Sequence, residues 1–204
     1  MIVITWNCQG AASKGFIRAA KWMIRSHNPD ILCHMETKTS GTNADDVCKK
    51  LGFDKWARVE ALGFSGGIWI LWYDDLNIEI LSSHPQFIHM AVEGKNNNKW
   101  TSMTVYGSPS LHLRKRLWND LRQNKTKVSG PWLIAGDFNA VISNEETSNH
   151  DGGTSHRNED FKNWIFNEGL VDLGYTGQPF TWKRGTDLSM FRGARLDRAL
   201  CSMD

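Results

Sequence analysis

The chain has 204 residues, 40% of them hydrophobic, and this length predicts one globular domain spanning residues 1–204 with its own core. A formal net charge of +2 is too small to require a polyanionic partner, so any basic surface must come from local clustering. The four cysteines form no CxxC pair, which argues against a zinc site or a disulfide framework. The sequence shows neither a leader segment nor an apolar run of roughly 18 residues, and it therefore predicts a soluble intracellular protein.

The first half of the chain predicts two strand–helix pairs followed by a series of strands. The strand IVITWN leads to a helix that Ser13 is placed to cap and that Asn28 and Pro29 end. A second strand, DILCHME, leads to a short helix over 43–50 that stops before Gly52. Four segments rich in Ile, Val, Trp and Thr follow, which are GGIWILWYDD, NIEILSS, FIHMAVEG and WTSMTVYG. Turn residues separate them, and the series predicts a meander of β-strands.

The second half predicts two helices around a central strand. A helix begins near Ser110, and its residues Leu113, Leu117 and Leu121 fall on one apolar stripe. The strand WLIAGDF follows, then a helix over NEDFKNWIFNEGL that Asn158 is placed to cap, and finally the short strand RLDRAL. Strands grouped with few helices between them predict an α/β fold, a four-layer sandwich of two stacked, mostly antiparallel sheets flanked by helices.

Polar side chains stand at or near the ends of four predicted strands. They are Asn7, Glu36, Tyr106 and Asp137, and Asn139 lies two positions beyond the last. Each position taken singly is equally well explained as an ordinary turn, because turns favour Asp and Asn. Strand ends that gather at one edge of a sheet can instead surround a single pocket. Oxygen ligands of this kind suit Mg²⁺, which is held by one or two carboxylates together with waters and substrate phosphate oxygens.

Six short blocks stand in an order that resembles the endonuclease/exonuclease/phosphatase superfamily. They are WNCQG at 6–10, METK at 35–38, VYGSP at 105–109, GDFN at 136–139, FTW at 180–182 and RLD at 195–197. Within that superfamily the chain looks most like the apurinic-type endonuclease domain of plant LINE-type (non-LTR) retrotransposons. The resemblance spans nearly the whole chain, and the ordered set is far more specific than any single block.

The resemblance implies a role for each polar residue in hydrolysing a phosphodiester. Glu36 would hold the metal ion, Mg²⁺ or Mn²⁺, and Asn7 would support the same site. Asp137 would orient or deprotonate the attacking water, and Asn139 would either donate to the phosphate or fix Asp137. Tyr106 would donate its hydroxyl to the phosphate or bind the metal through water. A metal ion and oriented donors neutralise the negative charge that develops in such a reaction.

Asp197 matches the family aspartate that orients a catalytic histidine. In the family this histidine belongs to a serine–aspartate–histidine triplet beyond the RLD block, and the sequence ends at Asp204 without it. His34, His84 and His89 lie in or beside predicted strands and are interpreted as structural. We expect weak or absent activity, because acid–base participation contributes about 10²–10⁴ in rate, and we expect the last strand of the fold to be missing. The chain would then be a fragment of a longer polyprotein or a decayed genomic copy.

Two groups of residues could bind a nucleic-acid backbone on either side of an acidic centre. The groups are Arg114, Lys115 and Arg116 near the start of the predicted third helix, and Trp182, Arg192 and Arg195 near the carboxyl end. A solvated helix face explains the first group equally well. The second combines aromatic and basic residues in a Gly-containing segment able to meet a DNA groove.

Most of the ten tryptophans are interpreted as core residues. Those with apolar neighbours at strand or helix spacing are Trp22, Trp69, Trp72, Trp118 and Trp164. No Gly-Lys-Ser/Thr element follows a glycine-rich loop, and no GxSxG elbow is present, so neither nucleotide binding by a P-loop nor Ser/His/Asp catalysis is supported.

The leading interpretation is a Mg²⁺-dependent phosphodiesterase that nicks double-stranded DNA. The resemblance further implies action in the nucleus and a reverse-transcriptase domain in the same polyprotein. Two alternatives stay open, which are an inactive remnant that at most binds nucleic acid and an enzyme for a small phosphoester such as an inositol phosphate. The basic and aromatic carboxyl-terminal segment favours DNA over the small esters.

Overall fold

The computed structural model describes residues 1–94, 98–125, 130–148, 155–185, 187 and 190–203, with the backbone alone for 125 and 155–158. The chain forms two compact units, Met1–Tyr106 and Gly107–Asp204. Over the part of the chain that is described, no helix is both long enough and apolar enough to cross a membrane.

The first unit contains two helices and seven strands among its described residues. They are β1 (Val3–Asn7), α1 (Lys14–His27), β2 (Ile31–Met35), α2 (Gly41–Leu51), β3 (Lys55–Leu62), β4 (Ser65–Trp72), β5 (Asn77–His84), β6 (Phe87–Glu93) and β7 (Lys99–Tyr106). The first four strands form a sheet in the order β1-β2-β4-β3, in which β1 and β2 are parallel. Strands β5, β6 and β7 form the expected antiparallel meander. The sequence does not predict β3, because Lys55, Arg58 and Glu60 interrupt its apolar pattern.

Helix α1 begins where the sequence predicts. The Ser13 Oγ accepts a hydrogen bond from the Phe16 backbone N–H at 3.0 Å, and Asn28 ends the helix in a left-handed conformation with φ of 45°. The buried side of the helix carries Phe16 and Ala20. The expectation that Trp22 is a core residue is wrong, because Trp22 lies on the opposite side of α1 and is 67% exposed.

Two apolar layers cover the four-stranded sheet of the first unit. Helices α1 and α2 pack on one face, around Leu32, Trp69 and Leu71. Strands β5 to β7 pack on the other face, around residues such as Ile70 and Ile88. All five residues of β2 are buried, since the strand is covered on both faces. The layering holds the carboxyl ends of β1 and β2 between a helical layer and a second set of strands.

His34 in β2 is a core residue, in agreement with its structural interpretation. Its ring lies 5.5 Å from the Trp6 ring and 5.0 Å from the Phe16 ring, measured between centroids. Burial lowers the pKa of His34 to about 3, so the imidazole is neutral at physiological pH.

The second unit contains two helices, a 3₁₀ turn and five short strands among its described residues. Its elements are α3 (Leu111–Lys125), β8 (Trp132–Asp137), a 3₁₀ turn (Asn144–Glu146), α4 (Ser155–Asn167), β9 (Val171–Asp172), β10 (Trp182–Arg184), β11 (Arg192–Ala194) and β12 (Asp197–Cys201). Strand β12 pairs antiparallel with both β8 and β9, and β10 and β11 form a separate two-stranded ribbon. The predicted final strand RLDRAL overlaps β12 over residues 197–200, and β12 lies between β8 and β9.

An aromatic cluster forms the core of the second unit. The Trp118 ring stacks on Phe161 at 4.8 Å and on Trp164 at 5.4 Å, and Phe138 lies 5.1 Å from Phe161. This packing confirms Trp118 and Trp164 as core residues, and Trp69 and Trp72 are likewise buried in β4.

Two details of the predicted helices in this unit are wrong. Leu117 and Leu121 are fully buried, but Leu113 is 45% exposed, so the apolar stripe covers only the later turns of α3. Helix α4 begins at Ser155, which places Asn158 inside the first turn and not at the cap. Several cap-forming residues precede the apolar run, and spacing alone does not choose among them.

Candidate active site

Unusual backbone conformations mark the loops that carry the expected site residues. The described non-glycine residues with positive φ are Gln9, Asn28, Glu36, Lys38 and Asn139. Asn28 ends α1, and the other four lie in the loops that follow β1, β2 and β8. A left-handed conformation costs an L-residue roughly 1–2 kcal/mol, and it persists only where surrounding contacts impose it. These three loops are therefore held in place by specific contacts.

Parallel pairing of β1 with β2 brings Asn7 and Glu36 to neighbouring strand ends. Asn7 lies opposite Met35 in the register, and the Cys8 N–H donates to the Met35 carbonyl at 3.0 Å. The Asn7 Oδ1 accepts a 3.3 Å hydrogen bond from the Gln9 N–H. The Glu36 Oε1 lies 3.1 Å from the Lys38 Nζ. One carboxylate and one amide oxygen thus stand at the same edge of the sheet.

Two glycines of β4 support the Glu36 loop. The Thr37 N–H donates to the Gly67 carbonyl at 3.3 Å, and the Lys38 N–H donates to the Gly66 carbonyl at 3.0 Å. Gly67 has a φ of 87°, and a Cβ there would collide with the Thr37 Oγ1. The Thr37 side chain therefore occupies the space that a side chain at position 67 would need, and the positive φ also favours glycine there. Gly66 and Gly67 lie at the start of β4, so the first residues of that strand are bonded to the loop of Glu36.

The residues at this edge fit an open, hydrated divalent cation. Mg²⁺ typically takes one or two protein carboxylates and fills its remaining positions with water and phosphate oxygens, and Glu36 with Asn7 provides such a set. Among the described residues, no three His, Cys, Asp or Glu side chains come together as a metal-binding group. The fit is therefore to an oxygen-ligated ion that also needs substrate, and not to a fully protein-enclosed one.

Tyr106 is the last residue of β7 and lies against the core of the first unit. It is 5% exposed, and its backbone N–H donates to the Gln86 carbonyl at 2.8 Å. It belongs to the apolar cluster that covers the sheet face opposite the helices.

The GDFN segment forms a locked turn at the end of β8. The Asp137 Oδ1 accepts a 2.8 Å hydrogen bond from the Asn139 N–H. The Asn139 Nδ2 donates to the Gly107 carbonyl at 2.8 Å, and the Gly107 N–H donates to the Asp137 carbonyl at 2.7 Å. Asp137 is 5% exposed and Phe138 is fully buried. Asn139 thus contacts the Asp137 carboxylate through its backbone N–H, and its side-chain amide is bonded to Gly107.

Strand pairing places Asp197 beside Asp137. The two residues lie directly opposite each other in the antiparallel register of β12 and β8, and residues so paired extend to the same face of a sheet with Cβ atoms about 4.5–5.5 Å apart. Burial raises the pKa of Asp197, and a hydrogen bond with the Thr181 side chain opposes that rise.

Thr181 is a supporting residue that the sequence analysis did not identify. Its Oγ1 accepts hydrogen bonds from the Leu196 N–H at 3.0 Å and from the Asp197 N–H at 3.1 Å. The sequence signal for Thr181 is its place in the FTW block. That signal does not reveal its hydrogen bonds, because they join residues about fifteen positions apart. Only the folded chain shows that this hydroxyl holds the Asp197 segment.

The first basic group is divided between structural and exposed residues. The Arg114 Nη1 donates to the Ser108 carbonyl at 2.7 Å, so this half-buried guanidinium secures the segment before α3. Burial lowers the pKa of Arg114, and the nearby charge of Asp137 opposes that shift. Lys115 forms an exposed ion pair with Asp160 at 3.3 Å, and Arg116 is exposed.

The second group also divides. Trp182 is 38% exposed on β10, and Arg192 is exposed on β11. Arg195 is 9% exposed, and its guanidinium is paired with Glu146 at 3.2 Å and with Asp172 at 2.7 Å. These pairs assign Arg195 a structural role in place of the expected DNA contact.

Several solved structures share this fold. An apurinic endonuclease, LMAP, from Leishmania major is 15% identical with a TM-score of 0.77, and the match covers 98% of this chain and 78% of that one. The endonuclease domain of TRAS1, a telomere-specific non-LTR retrotransposon, is 16% identical with a TM-score of 0.72, covering 99% and 84%. The 3′ phosphatase NExo from Neisseria, bound to a product DNA hairpin, is 17% identical with a TM-score of 0.73, covering 98% and 86%.

These similarities confirm the expected α/β class, with two large sheets flanked by helices. No sequence among curated proteins matches the chain. The sequence does match the Endonuclease/Exonuclease/phosphatase family over residues 4–202. The chain therefore belongs to the endonuclease/exonuclease/phosphatase family.

Proposed function

We propose that this protein is a Mg²⁺-dependent phosphodiesterase that cuts the backbone of double-stranded DNA. The observation that carries the proposal is the locked turn at Asp137, where a buried carboxylate is held by the Asn139 N–H in a chain whose structural neighbours are nucleases and phosphatases. A carboxylate held in one orientation is suited to a general base, because it costs little reorganisation when water loses its proton.

The proposal gives each residue a separate task. Glu36 and Asn7 hold the divalent ion, which when bound supplies positive charge to the phosphate oxygens. Asp137 orients the attacking water and accepts its proton, and Asn139 fixes Asp137 through its backbone N–H. Tyr106 donates its hydroxyl to the phosphate. Asp197 acts as a positioning residue, held by Thr181 and paired in register with Asp137.

DNA is the proposed substrate because two structural neighbours are associated with DNA. One of them is bound to a DNA hairpin product, and another is the endonuclease domain of a non-LTR retrotransposon. A plant LINE-type origin, action in the nucleus and a reverse-transcriptase partner belong to the same proposal. On the surface, Arg116, Arg192 and Trp182 are exposed and suited to contact DNA, and Arg114 and Lys115 precede Arg116 in α3.

We propose that the activity of residues 1–204 is low. None of the seven histidines follows Asp197 in the sequence, so no later histidine within these residues pairs with it as in the family. A catalytic acid–base group of this kind contributes about 10²–10⁴ in rate. An inactive remnant that still binds nucleic acid is the corresponding alternative.

Nicking of supercoiled plasmid with MgCl₂ tests the proposal. We expect slow nicking that disappears when EDTA replaces Mg²⁺ and when Asp137→Asn removes the general base. The control Asp46→Asn changes an exposed carboxylate on α2 and should nick at the original rate. Release of phosphate from an inositol phosphate without any nicking of DNA would show that the substrate is a small phosphoester and not DNA. Nicking at the original rate by the Asp137→Asn variant would show that Asp137 is not the general base.

A further inference from the structure

The outward side of α1 carries four cations and one exposed tryptophan. Lys14, Arg18, Lys21 and Arg25 follow one another at helical spacing, three of them exposed and Lys21 half-buried. Trp22 lies among them and is 67% exposed. The helix contains no Asp or Glu. These five residues are called the basic face of α1.

The positive charge of this face is not neutralised within the part of the chain that the structure describes. None of its four cations forms an ion pair there. Helix α2 packs beside α1 and carries two carboxylates. Asp45 is already paired with Arg58 at 3.2 Å, and Asp46 is exposed. Like charges at positions i and i+4 destabilise an isolated helix, so a bound anionic partner would relieve repulsion along this face.

A nucleic-acid backbone fits this face better than a lipid surface does. A membrane-binding helix inserts its apolar side, but that side of α1, with Phe16 and Ala20, is buried in the core of the first unit. Trp22 is the single large apolar residue left on the outward side. An exposed indole beside arginine and lysine side chains is suited to stack on an unpaired base.

The position and length of α1 also connect the basic face with the candidate site. The helix starts just after the loop that follows Asn7, where the Ala11 N–H donates to the Thr37 carbonyl at 2.8 Å next to Glu36. From Lys14 to Arg25 the face is roughly 16 Å long at 1.5 Å per residue. That length spans about five phosphates of one strand of a duplex.

We propose that the basic face of α1 binds the phosphate backbone of the nucleic acid next to the cleaved phosphate, and that Trp22 stacks on an unpaired base there. The inference rests on the proposed function for the class of substrate. It adds a binding surface that is separate from the groups on α3, β10 and β11.

Binding measured without metal separates this inference from hydrolysis. Fluorescein-labelled single-stranded and duplex DNA are titrated with protein in EDTA, and anisotropy is followed from about 50 to 200 mM KCl. The variant Arg18→Gln/Arg25→Gln removes two charges from the basic face. Its matched control, Lys49→Gln/Lys50→Gln, removes two exposed charges from the end of α2. Glutamine is nearly as good a helix former as arginine and lysine, so circular dichroism and the thermal midpoint should not change.

We expect the arginine variant to reduce the slope of log K against log salt by about 1.8 for duplex DNA, at about 0.9 for each lost phosphate contact. If affinity is unchanged at 1 M salt, that change in slope lowers it by about 60-fold near 0.1 M salt. The lysine control should keep the original slope. Trp22→Ala should weaken single-strand binding by about fivefold or more and affect duplex binding less. Phe166→Ala, which removes an 83% exposed ring on α4, is its control.

Equal slopes for the two double variants would overturn the inference. Binding to vesicles of phosphatidylglycerol with no binding to DNA would show that the basic face of α1 binds a lipid surface and not nucleic acid. A chain that binds DNA as expected but never nicks it fails only the proposed function. A chain that nicks DNA yet binds it equally in both variants fails only this inference.

Discussion

Glu36 and Asn139 hold backbone conformations that side chains rarely adopt, and in both loops a glycine makes the close contact that secures the conformation. Gly67 lies against Thr37, and a Cβ on Gly107 would collide with the carbonyl oxygen of Phe138. Each glycine also bonds through its backbone to the loop that carries a site carboxylate. Glycine thus leaves room for a neighbouring side chain at Gly67 and for a neighbouring backbone at Gly107.

Gly67→Ala should disturb the Glu36 loop more than a matched change at Gly66. Both glycines have positive φ, so alanine costs roughly 1–2 kcal/mol of unfolding free energy at either position. Only at Gly67 does the new Cβ also collide with the Thr37 Oγ1. We expect Gly67→Ala to lose at least 1 kcal/mol more than Gly66→Ala in urea unfolding, of the order of an overpacked contact. It should also need more Mg²⁺ for half-maximal nicking.

A second change on the partner side checks the cause. Thr37→Ala removes the hydroxyl that the Cβ would meet. The double variant Gly67→Ala/Thr37→Ala should recover part of the stability that Gly67→Ala loses. If the double variant instead loses as much unfolding free energy as the two single variants added together, the contact with Thr37 is not the reason.

Asp197→Asn should stabilise the protein at neutral pH while lowering activity. Burial raises the folded-state pKa of Asp197 above its ordinary value of 3.8, despite the hydrogen bond with Thr181. The folded state then binds more protons than the unfolded state as pH rises from about 3.8, so stability falls through that window and stays lower above it. Urea unfolding at pH 7 should show a gain for Asp197→Asn that shrinks near pH 3.5. The control Asp46→Asn should stay within about 0.5 kcal/mol, and a loss of stability in Asp197→Asn would contradict the expected sign.

At the scale of elements, a closed ring of ion pairs ties β12 to its neighbours. Arg195 and Arg198 each bind both Glu146 and Asp172, with distances of 2.6 to 3.2 Å. The Arg198 side chain is fully buried and its guanidinium lies 5.4 Å from the centre of the Phe161 ring. The ring joins β12, β9 and the 3₁₀ turn. It therefore holds the strand from which Asp197 extends.

Removing one arginine from this ring should cost much more than removing an exposed one. Arg198→Met leaves Glu146 and Asp172 with Arg195 as their single cationic partner in the ring, and breaking a buried pair in this way typically costs about 3 kcal/mol or more. Arg192→Met, on the exposed β11, is the matched control and should cost less than about 0.5 kcal/mol. Urea unfolding at pH 7 measures both. Equal losses would mean that the ring contributes no more than surface charge.

Acid should weaken the same ring. Burial alone raises the pKa of Asp172, but hydrogen bonds from Arg195 and the Gly174 N–H, with the charge of Arg198, bring it below its ordinary value of 3.8. A lowered pKa contributes stability above the unfolded-state value, and this stability is lost as pH falls through the folded-state value. The difference between the original chain and Arg198→Met should therefore shrink below about pH 3.8. A constant difference from pH 7 to pH 3 would contradict the assignment.

At the scale of the whole molecule, the fold should not depend on a metal ion. Among the described residues no group of three His, Cys, Asp or Glu forms a metal centre, and Glu36 with Asn7 is a weak site without substrate. We expect EDTA to leave the thermal midpoint unchanged. Addition of 10 mM Mg²⁺ should stabilise by about 1.4 kcal/mol if Kd is near 1 mM. Unfolding by EDTA would instead reveal a structural metal and overturn this expectation.

The family fold supports more than one reaction, so the substrate follows from residues and not from architecture. The structural neighbours include apurinic endonucleases and a 3′ phosphatase at similar identities of 15 to 18%. The net charge of +2 does not choose among substrates. The charges on α1, α3 and β11 are local features, and variants at those positions are the means to distinguish DNA from a small ester. That residues 1–204 act as a single domain stays a prediction.

The sequence by itself determined most elements and the polar strand ends, because local periodicity, caps and turn residues act over a few positions. It indicated the family through the six short blocks that stand in the family order. Ser13, Gly52 and the GDFN block are examples. Only the tertiary structure decided the exposed position of Trp22, the pairing of Arg195 and the support of Asp197 by Thr181. It also decided that Gly67 is bonded to the Glu36 loop. Each of these depends on contacts between residues far apart in the chain, which no local pattern of side chains records.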